Sequence, residues 1–459
     1  MPWHEQLVPL QMSRIAVVAT SSRWHPVLAA IAESGLLEPD TGEDHAARGT
    51  EIDGVSPHAG SEPATDGDLS VETGRVSQAP ASAQADREID RVGSAAVEQD
   101  GIKALAGWAP TSALDDLAGK VEPLGGGIIE LPRPRGVDPP TLLVSGRTNS
   151  FRPLVETYAT VPYRDIDPTP FAAAAYVLMF GMMFGDLGDG LLLALGAVAL
   201  RLGWFRRLSM FESAWSMVLA LGISAGFFGL LYGEFFGPTG VVPVLWLSPL
   251  EEPTTLLAAA IGLGAVLLAV SYVLGTVNRW REGGLSFALY APTGIAGATL
   301  FLSLALVSGG IYWRESAVWA TGLALAVLGL VLSFIGLKAS AGRGGGAVAQ
   351  ASVELFDLVV RLLSNVVSFA RIAAFGLTHA ALGLVVWNAT VALWSGALAI
   401  LSVLVFVVGR TLSFALEALV AGVQALRLEY YELFSRIFVT EGRPFEPWHV
   451  PLATPEEDQ

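Results

Sequence analysis

From residue 171 onward apolar residues run in long blocks, at 171–200, 211–233, 255–278, 286–312, 317–338, 351–391 and 393–434, with short polar stretches between them. Each block can cross a hydrocarbon core of about 30 Å, which takes roughly 20 helical residues. The last two exceed 40 residues. They are expected to be long helices that tilt, kink or protrude. Before residue 166 the pattern is that of a small folded unit. Residues 15–19 read as a short buried strand. A helix at 24–35 should stop at Gly35, a C-cap residue. Residues 107–110 lead into a helix at 112–119, a strand follows the glycines at 125–127, and 131–140 read as a linker. Residues 40–100 hold 14 acids, four bases and no Phe, Trp or Tyr. Such a stretch buries too little apolar surface to offset its chain entropy and is expected to be disordered.

The predicted fold class is a mainly α membrane protein with about eight transmembrane helices, the last two long and tilted, after a small N-terminal α/β cytoplasmic domain with a disordered insertion. The domain takes 1–39 and 101–165, the insertion 40–100, the membrane part 166–448 and a C-terminal tail 449–459. Eight spans, not seven, follow from loop charge. Short Lys/Arg-rich loops belong on the cytoplasmic side. These are the loops with Arg201, Arg206 and Arg207, with Arg279 and Arg281, and with Lys338 and Arg343. The loop at 234–254 carries Glu234, Glu251 and Glu252 and no base. Block 171–200 then starts and ends inside, so it must be two short spans or a re-entrant hairpin. Its centre at 185–190, with three glycines around Asp186 and Asp189, has turn chemistry. Both termini fall on the cytoplasmic side.

Composition agrees with the pattern. The chain is 52% hydrophobic and 15% charged, with mean hydropathy +0.53, where soluble domains carry roughly 25% charge. The absence of cysteine excludes disulfides, thiolate metal sites and cysteine nucleophiles. No metal site and no cofactor are expected. The net charge of −16 is uneven: 25 acids against 13 bases before residue 169, and 18 against 14 after it. No basic patch is offered to nucleic acid. The first 20 residues lack a basic segment followed by an apolar core, so no cleavable signal is expected. No Walker motif is present, so the chain is expected to be non-catalytic, with no catalytic residues of its own.

Charges within apolar blocks are costly and mark function. The last two blocks carry Asp357, Arg361, Arg371, His379, Arg410, Glu417 and Arg427. On one ideal helix Asp357 and Arg371 lie about 40° apart. Arg410, Glu417 and Gln424 fall at heptad spacing, with Arg427 one turn further. Arg is a fixed positive charge, whereas carboxylates and His exchange protons. The combination suits an ion path with an electrostatic barrier. Plainer readings stand beside it: Arg361 and Arg436 at the membrane interface, Arg410 and Glu417 as a structural pair across two turns, His379 satisfied by packing, and Asp186 and Asp189 as solvated turn residues.

Several motifs resemble one family. Pro168-Thr-Pro-Phe with the segment from Phe180 to Gly190, FGMMFGDLGDG, looks like the first membrane hairpin of the V-type and A-type rotary ATPase stator subunit, called a in eukaryotes and I in bacteria and archaea. The Leu231-Tyr-Gly-Glu234 run resembles the end of its next span. The stretch from Ser368 to His379 resembles its arginine helix, and the stretch from Glu417 to Glu446 its last helix with a second Arg. The resemblance covers about 165–448. It implies that Arg371 and Arg427 face the carboxylate of a rotating c-type ring (proteolipid) subunit. It further implies that Asp357 lines a cytoplasmic half-channel and that Glu417, Glu234 and Asp186 line the outer one; His379 and Gln424 are counted among the ion-translocation residues. The implied partners are the ring, the peripheral and central stalk subunits and the lipid bilayer. The implied location is a prokaryotic plasma membrane, crossed several times. Asp357 stands where many relatives have Glu, and Gln424 where eukaryotic relatives have His. The N-terminal part lacks the family's long coiled coil and distal lobe. Two other classes are considered: a secondary proton-coupled transporter, which often shows internal repeats not found here, and a non-transporting membrane scaffold, against which the intramembrane arginines weigh.

Overall fold

A computed structural model describes residues 8–40, 81–134, 136–143, 149–204, 213–394, 398–438 and 442–450. The chain forms two compact units. In the smaller, strand β1 (Met12–Thr20) is followed by helix α1 (Trp24–Ser34), β2 (Glu38–Pro39), α2 (Ala81–Gly93), β3 (Val97–Gln99), β4 (Ile102–Pro110), α3 (Leu114–Val121) and β5 (Gly126–Glu130). All pairings are antiparallel. The order is β2-β4-β1-β5, with β3 on the far end of the β4 edge that β2 uses. Alternation sends Ile15, Val17 and Ala19 of β1 into the core, against Val27, Leu28 and Ile31 of α1. As expected, α1 stops at Gly35, which adopts φ +57°.

The expected disorder at 40–100 needs correction. Residues 41–80 lie outside the described residues, but 81–99 are ordered. Helix α2 offers Ala85, Ile89 and Val92, a sparse stripe at helical spacing in a polar sequence, and all three are buried. The segment then turns back through Asp100 (φ +52°) and Gly101 (φ +77°) into β4. Two consecutive positive φ values make the tight hairpin that Asp-Gly favours. Residues 443–450 also belong to this unit, so the larger unit ends at Gly442 rather than at the expected 448. Arg443 pairs with buried Glu38, the Glu446 N–H donates to Glu38 Oε2 (3.0 Å), and the Trp448 N–H donates to the Leu37 carbonyl (2.9 Å).

The larger unit is helical: α4 (Arg152–Glu156), α5 (Thr169–Met183), α6 (Leu187–Arg201), α7 (Trp215–Tyr232), α8 (Pro253–Tyr290), α9 (Ile295–Tyr312), α10 (Ser316–Ala341), α11 (Gly345–Ser368), α12 (Ala370–Ala392) and α13 (Ala399–Leu428). A π-helical stretch, Glu429–Phe434, prolongs α13 to a last turn at Ser435–Ile437. Among the described residues six helical runs are long and apolar enough to cross a membrane: α7, α8, α9, α10, α11 with α12, and α13 with its extension. Helices α5 and α6 have 15 residues each, too few for a full crossing at ~1.5 Å per residue. The chain is a mostly helical integral membrane protein with a small N-terminal sheet domain.

Two breaks differ from the expected pattern. The basic stretch around Arg279 is not a loop. Helix α8 runs through it and departs from helical geometry at Gly284 (φ +76°). Arg279 is buried there, 2.5 Å from Glu282 and 3.8 Å from Asp165, and these acids let the helix carry a charge inward. The block at 351–391 is interrupted at Phe369, where the Phe369 and Ile372 N–H groups reach back three residues, to Val366 and Phe369. That tighter turn shifts the phase, so the angle computed for Asp357 and Arg371 on one ideal helix does not carry across it.

Candidate functional site

The turn at 184–186 between α5 and α6 begins the site. Asp186 caps α6, its Oδ1 accepting the Asp189 N–H at 3.0 Å. Helix α7 packs directly against this turn because residue 229 is glycine: a Cβ there would run into the Asp186 and Leu187 backbone. The chain leaves α7 through Gly233 (φ +73°) and passes Glu234 to Phe236 (φ +52°) and Gly237 (φ +95°). Positive φ at Phe236 is strained. Asp186 holds it in place: Oδ1 accepts the Phe236 N–H at 2.9 Å and Oδ2 the Gly237 N–H at 2.6 Å. The Leu187 N–H donates to the Glu234 carbonyl (3.0 Å). Asp186 and Asp189 are therefore buried structural acids, not solvated turn residues.

Two helices close the site. Arg410 of α13 donates to Asp189, lies 3.5 Å from Asp186 Oδ2, and stacks over Phe236 with its guanidinium 5.7 Å from the ring centre. His379 of α12 is buried against Phe184, and its Nδ1 bonds to Glu417 of α13, which also accepts from Ser413. Arg410 and Glu417 are thus not paired with each other; each bonds to a different segment. Glu234 is buried, and its Oε2 has no partner among the described residues. A ligand atom from each of Asp186, Glu234 and His379 lies within 4.8 Å of the others. A cavity of about 170 Å³ adjoins the His379–Glu417 pair, walled by Phe184, Thr378 and Leu416 among others, which is room for water.

The remaining residues lie apart from this network. Arg371, at the start of α12, is half-buried, and Arg427, at the end of α13, is exposed. The two are within electrostatic reach of each other and of Glu432. Gln424 lies one turn before Arg427, and its Oε1 has no partner among the described residues. Asp357 is exposed on α11 and pairs with Arg361 at 2.6 Å. Arg436 is buried over the Tyr272 ring (5.5 Å). Sequence reasoning missed the Arg410–Asp189 bond, which joins residues 221 positions apart. It also missed Glu429, buried in the π-helical stretch with neither carboxylate oxygen partnered among the described residues. Glutamate on an otherwise apolar helix was the available signal.

The described residues thus form a helical membrane unit with a buried acid–histidine–arginine network and further arginines beside it. Residues 106–246 match the model of the V-type ATPase 116 kDa subunit family. The chain is similar to the A-type ATP synthase subunit I of Pyrococcus horikoshii, 29% identical over 369 residues that cover 75% of this chain and 53% of that one. It is similar to the subunit I of Halobacterium salinarum, 30% identical over 381 residues, covering 66% and 50%. The Thermococcus kodakarensis subunit I is 28% identical over 380 residues, covering 75% and 54%. The chain resembles the V/A-type ATPase subunits a and I, and spans about half the length of the curated relatives it matches.

Proposed function

We propose that the chain is the ion-translocating stator subunit of a V/A-type rotary ATPase, working against a rotating ring of small c-type subunits. It catalyses no reaction itself; ATP is made or hydrolysed elsewhere in the complex. The observation that carries the reading is the closeness of Arg371 and Arg427 at one end of two helices whose other acid and histidine residues are drawn into a buried network. Helix α13 also leaves an apolar face open, including Leu412, Leu416, Leu419 and Val423, as a helix must if it packs against a ring.

In this reading an ion enters or leaves through an outer half-channel along Glu234, Asp186, His379 and Glu417, and through a cytoplasmic half-channel at Asp357, with Gln424 between the two arginines and Glu417. The ring carboxylate releases its ion opposite Arg371, because a fixed positive charge favours the ionised acid. The same charge bars cations from running directly between the half-channels in a site of low dielectric. Lys would serve poorly, since its ammonium deprotonates when desolvated. The ion is a proton in this scheme, passed between groups that titrate. Eight spans with both termini cytoplasmic, a plasma-membrane location, and contacts with peripheral and central stalk subunits belong to the same proposal.

The test is what travels with the chain. Affinity-tagged protein extracted in mild detergent should bring with it a ring of small membrane subunits, each with an acid at mid-membrane. Purification as a ring-free protein that still exchanges ions in liposomes would favour a secondary transporter, and a ring-free, inactive protein would favour a scaffold.

A further inference from the structure

We propose that Asp186, Glu234 and His379 form a binding site for a transition-metal dication of the Zn²⁺ type, and that an ion held there blocks the outer half-channel. The blocking rests on the ion-path reading above; the binding does not. The ligand set is one imidazole and two carboxylates, which suits zinc. Three observations go beyond the presence of acids. Nε2 of His379 is buried and has no partner among the described residues. Nδ1 of the same ring is engaged by Glu417, itself held by Ser413. A histidine whose Nδ1–H is fixed by a carboxylate presents a bare Nε2 lone pair, and this is how metal-binding histidines are oriented. Glu234 Oε2 is likewise buried and free.

The geometry needs little adjustment. One ligand atom from each of the three residues lies within 4.8 Å of the others. Zinc bonds of about 2.0–2.2 Å place tetrahedral ligands roughly 3.4 Å apart, so shifts of about an ångström close the site. Glu234 lies in the loop after α7 and can supply most of that. Asp186 keeps its backbone bonds, because Arg410 stands back at 3.5 Å and bonds to Asp189 instead. Three carboxylates, Asp186, Asp189 and Glu234, lie within electrostatic reach of the one guanidinium, that of Arg410, so acidic groups outnumber fixed positive charge at the site. A single buried imidazole and the short ligand count disfavour Mg²⁺ and Ca²⁺, which take six or more oxygens.

The experiment uses the full chain in lipid nanodiscs, with Zn²⁺ binding read by calorimetry and ligand type by X-ray absorption. Wild type should bind one zinc with imidazole among its nitrogen and oxygen ligands, and a hundred-fold excess of Mg²⁺ should not displace it. His379→Ala should weaken binding by about 100-fold, and Glu234→Gln, a near-isosteric change that should not disturb folding, by a similar order. Glu417→Gln, acting through the His379 ring, should weaken it by at least about 10-fold. Glu251→Gln, in the loop and outside the trio, should leave it unchanged. Absence of stoichiometric zinc in wild type, or unaltered binding in both His379→Ala and Glu234→Gln, overturns the site. Zinc that binds as described yet leaves ATP-driven ion uptake of the complex intact overturns the blocking alone.

Discussion

Asp186→Ala removes one carboxylate that holds three backbone N–H groups from two segments. Loss of the α6 cap costs about 1 kcal/mol. The Phe236 and Gly237 N–H groups sit in a strained loop beside a buried acid, and each buried donor left without an acceptor costs about 1–3 kcal/mol. Together these make a loss of about 3–7 kcal/mol, concentrated where Gly233–Gly237 joins the α5–α6 turn. Hydrogen exchange reads such local opening directly. At the low end, 3 kcal/mol accelerates exchange at Phe236 and Gly237 roughly 100-fold, since about 1.4 kcal/mol is a factor of ten. Asp186→Asn keeps one acceptor oxygen and turns an amide donor toward one of the N–H groups, so it should give about half the effect in free energy. The assay is exchange with mass spectrometry on a peptide spanning 233–240. Equal exchange in wild type and Asp186→Ala would refute the claim that this carboxylate, and not loop packing, holds the strained turn.

Ile89 is buried against α1 in a segment whose composition reads as disordered. Ile89→Ala should therefore destabilise the sheet unit by about 2–5 kcal/mol, seen as a lower unfolding temperature, whereas a disordered segment would give no change. Asp165 lies before the first membrane helix; burial, then the Glu282 carboxylate, push its carboxyl up to about 7 against the pull of Arg279. An acid that holds its proton more tightly folded than unfolded makes stability fall as pH rises from about 4 to 7. Thermal denaturation in detergent should show that fall, and Asp165→Asn should flatten it; an unchanged slope would rule Asp165 out as its source.

Local signals in the sequence carried far. Gly35 stopped α1 because only a residue without a Cβ takes φ +57° at little cost, and the glycine-rich stretch around Asp186 did break block 171–200 into two helices. The Asp100-Gly101 pair was an equally good hairpin signal, hidden by the acidic composition around it. What spacing could not supply was partners. Heptad positions placed Arg410 and Glu417 on one face of α13, but a face has several neighbours. Asp189 and His379 come from segments that only the packed α6, α12 and α13 helices bring together. Phase arguments failed where the helix was assumed continuous: Phe369 separates Asp357 from Arg371. Burial of Arg279 was likewise beyond reach, because a charged residue on an apolar helix looks the same in sequence whether it faces an interface or a core.

That Arg371 is the barrier between two half-channels is tested most directly by ATP-driven ion uptake into inverted vesicles carrying Arg371→Ala, with assembly followed on native gels. The predicted result is a normally assembled complex whose coupled uptake is abolished, because nothing then drives release from the ring carboxylate or stops ions crossing between the channels. Near-normal uptake by an assembled Arg371→Ala complex would contradict the assignment.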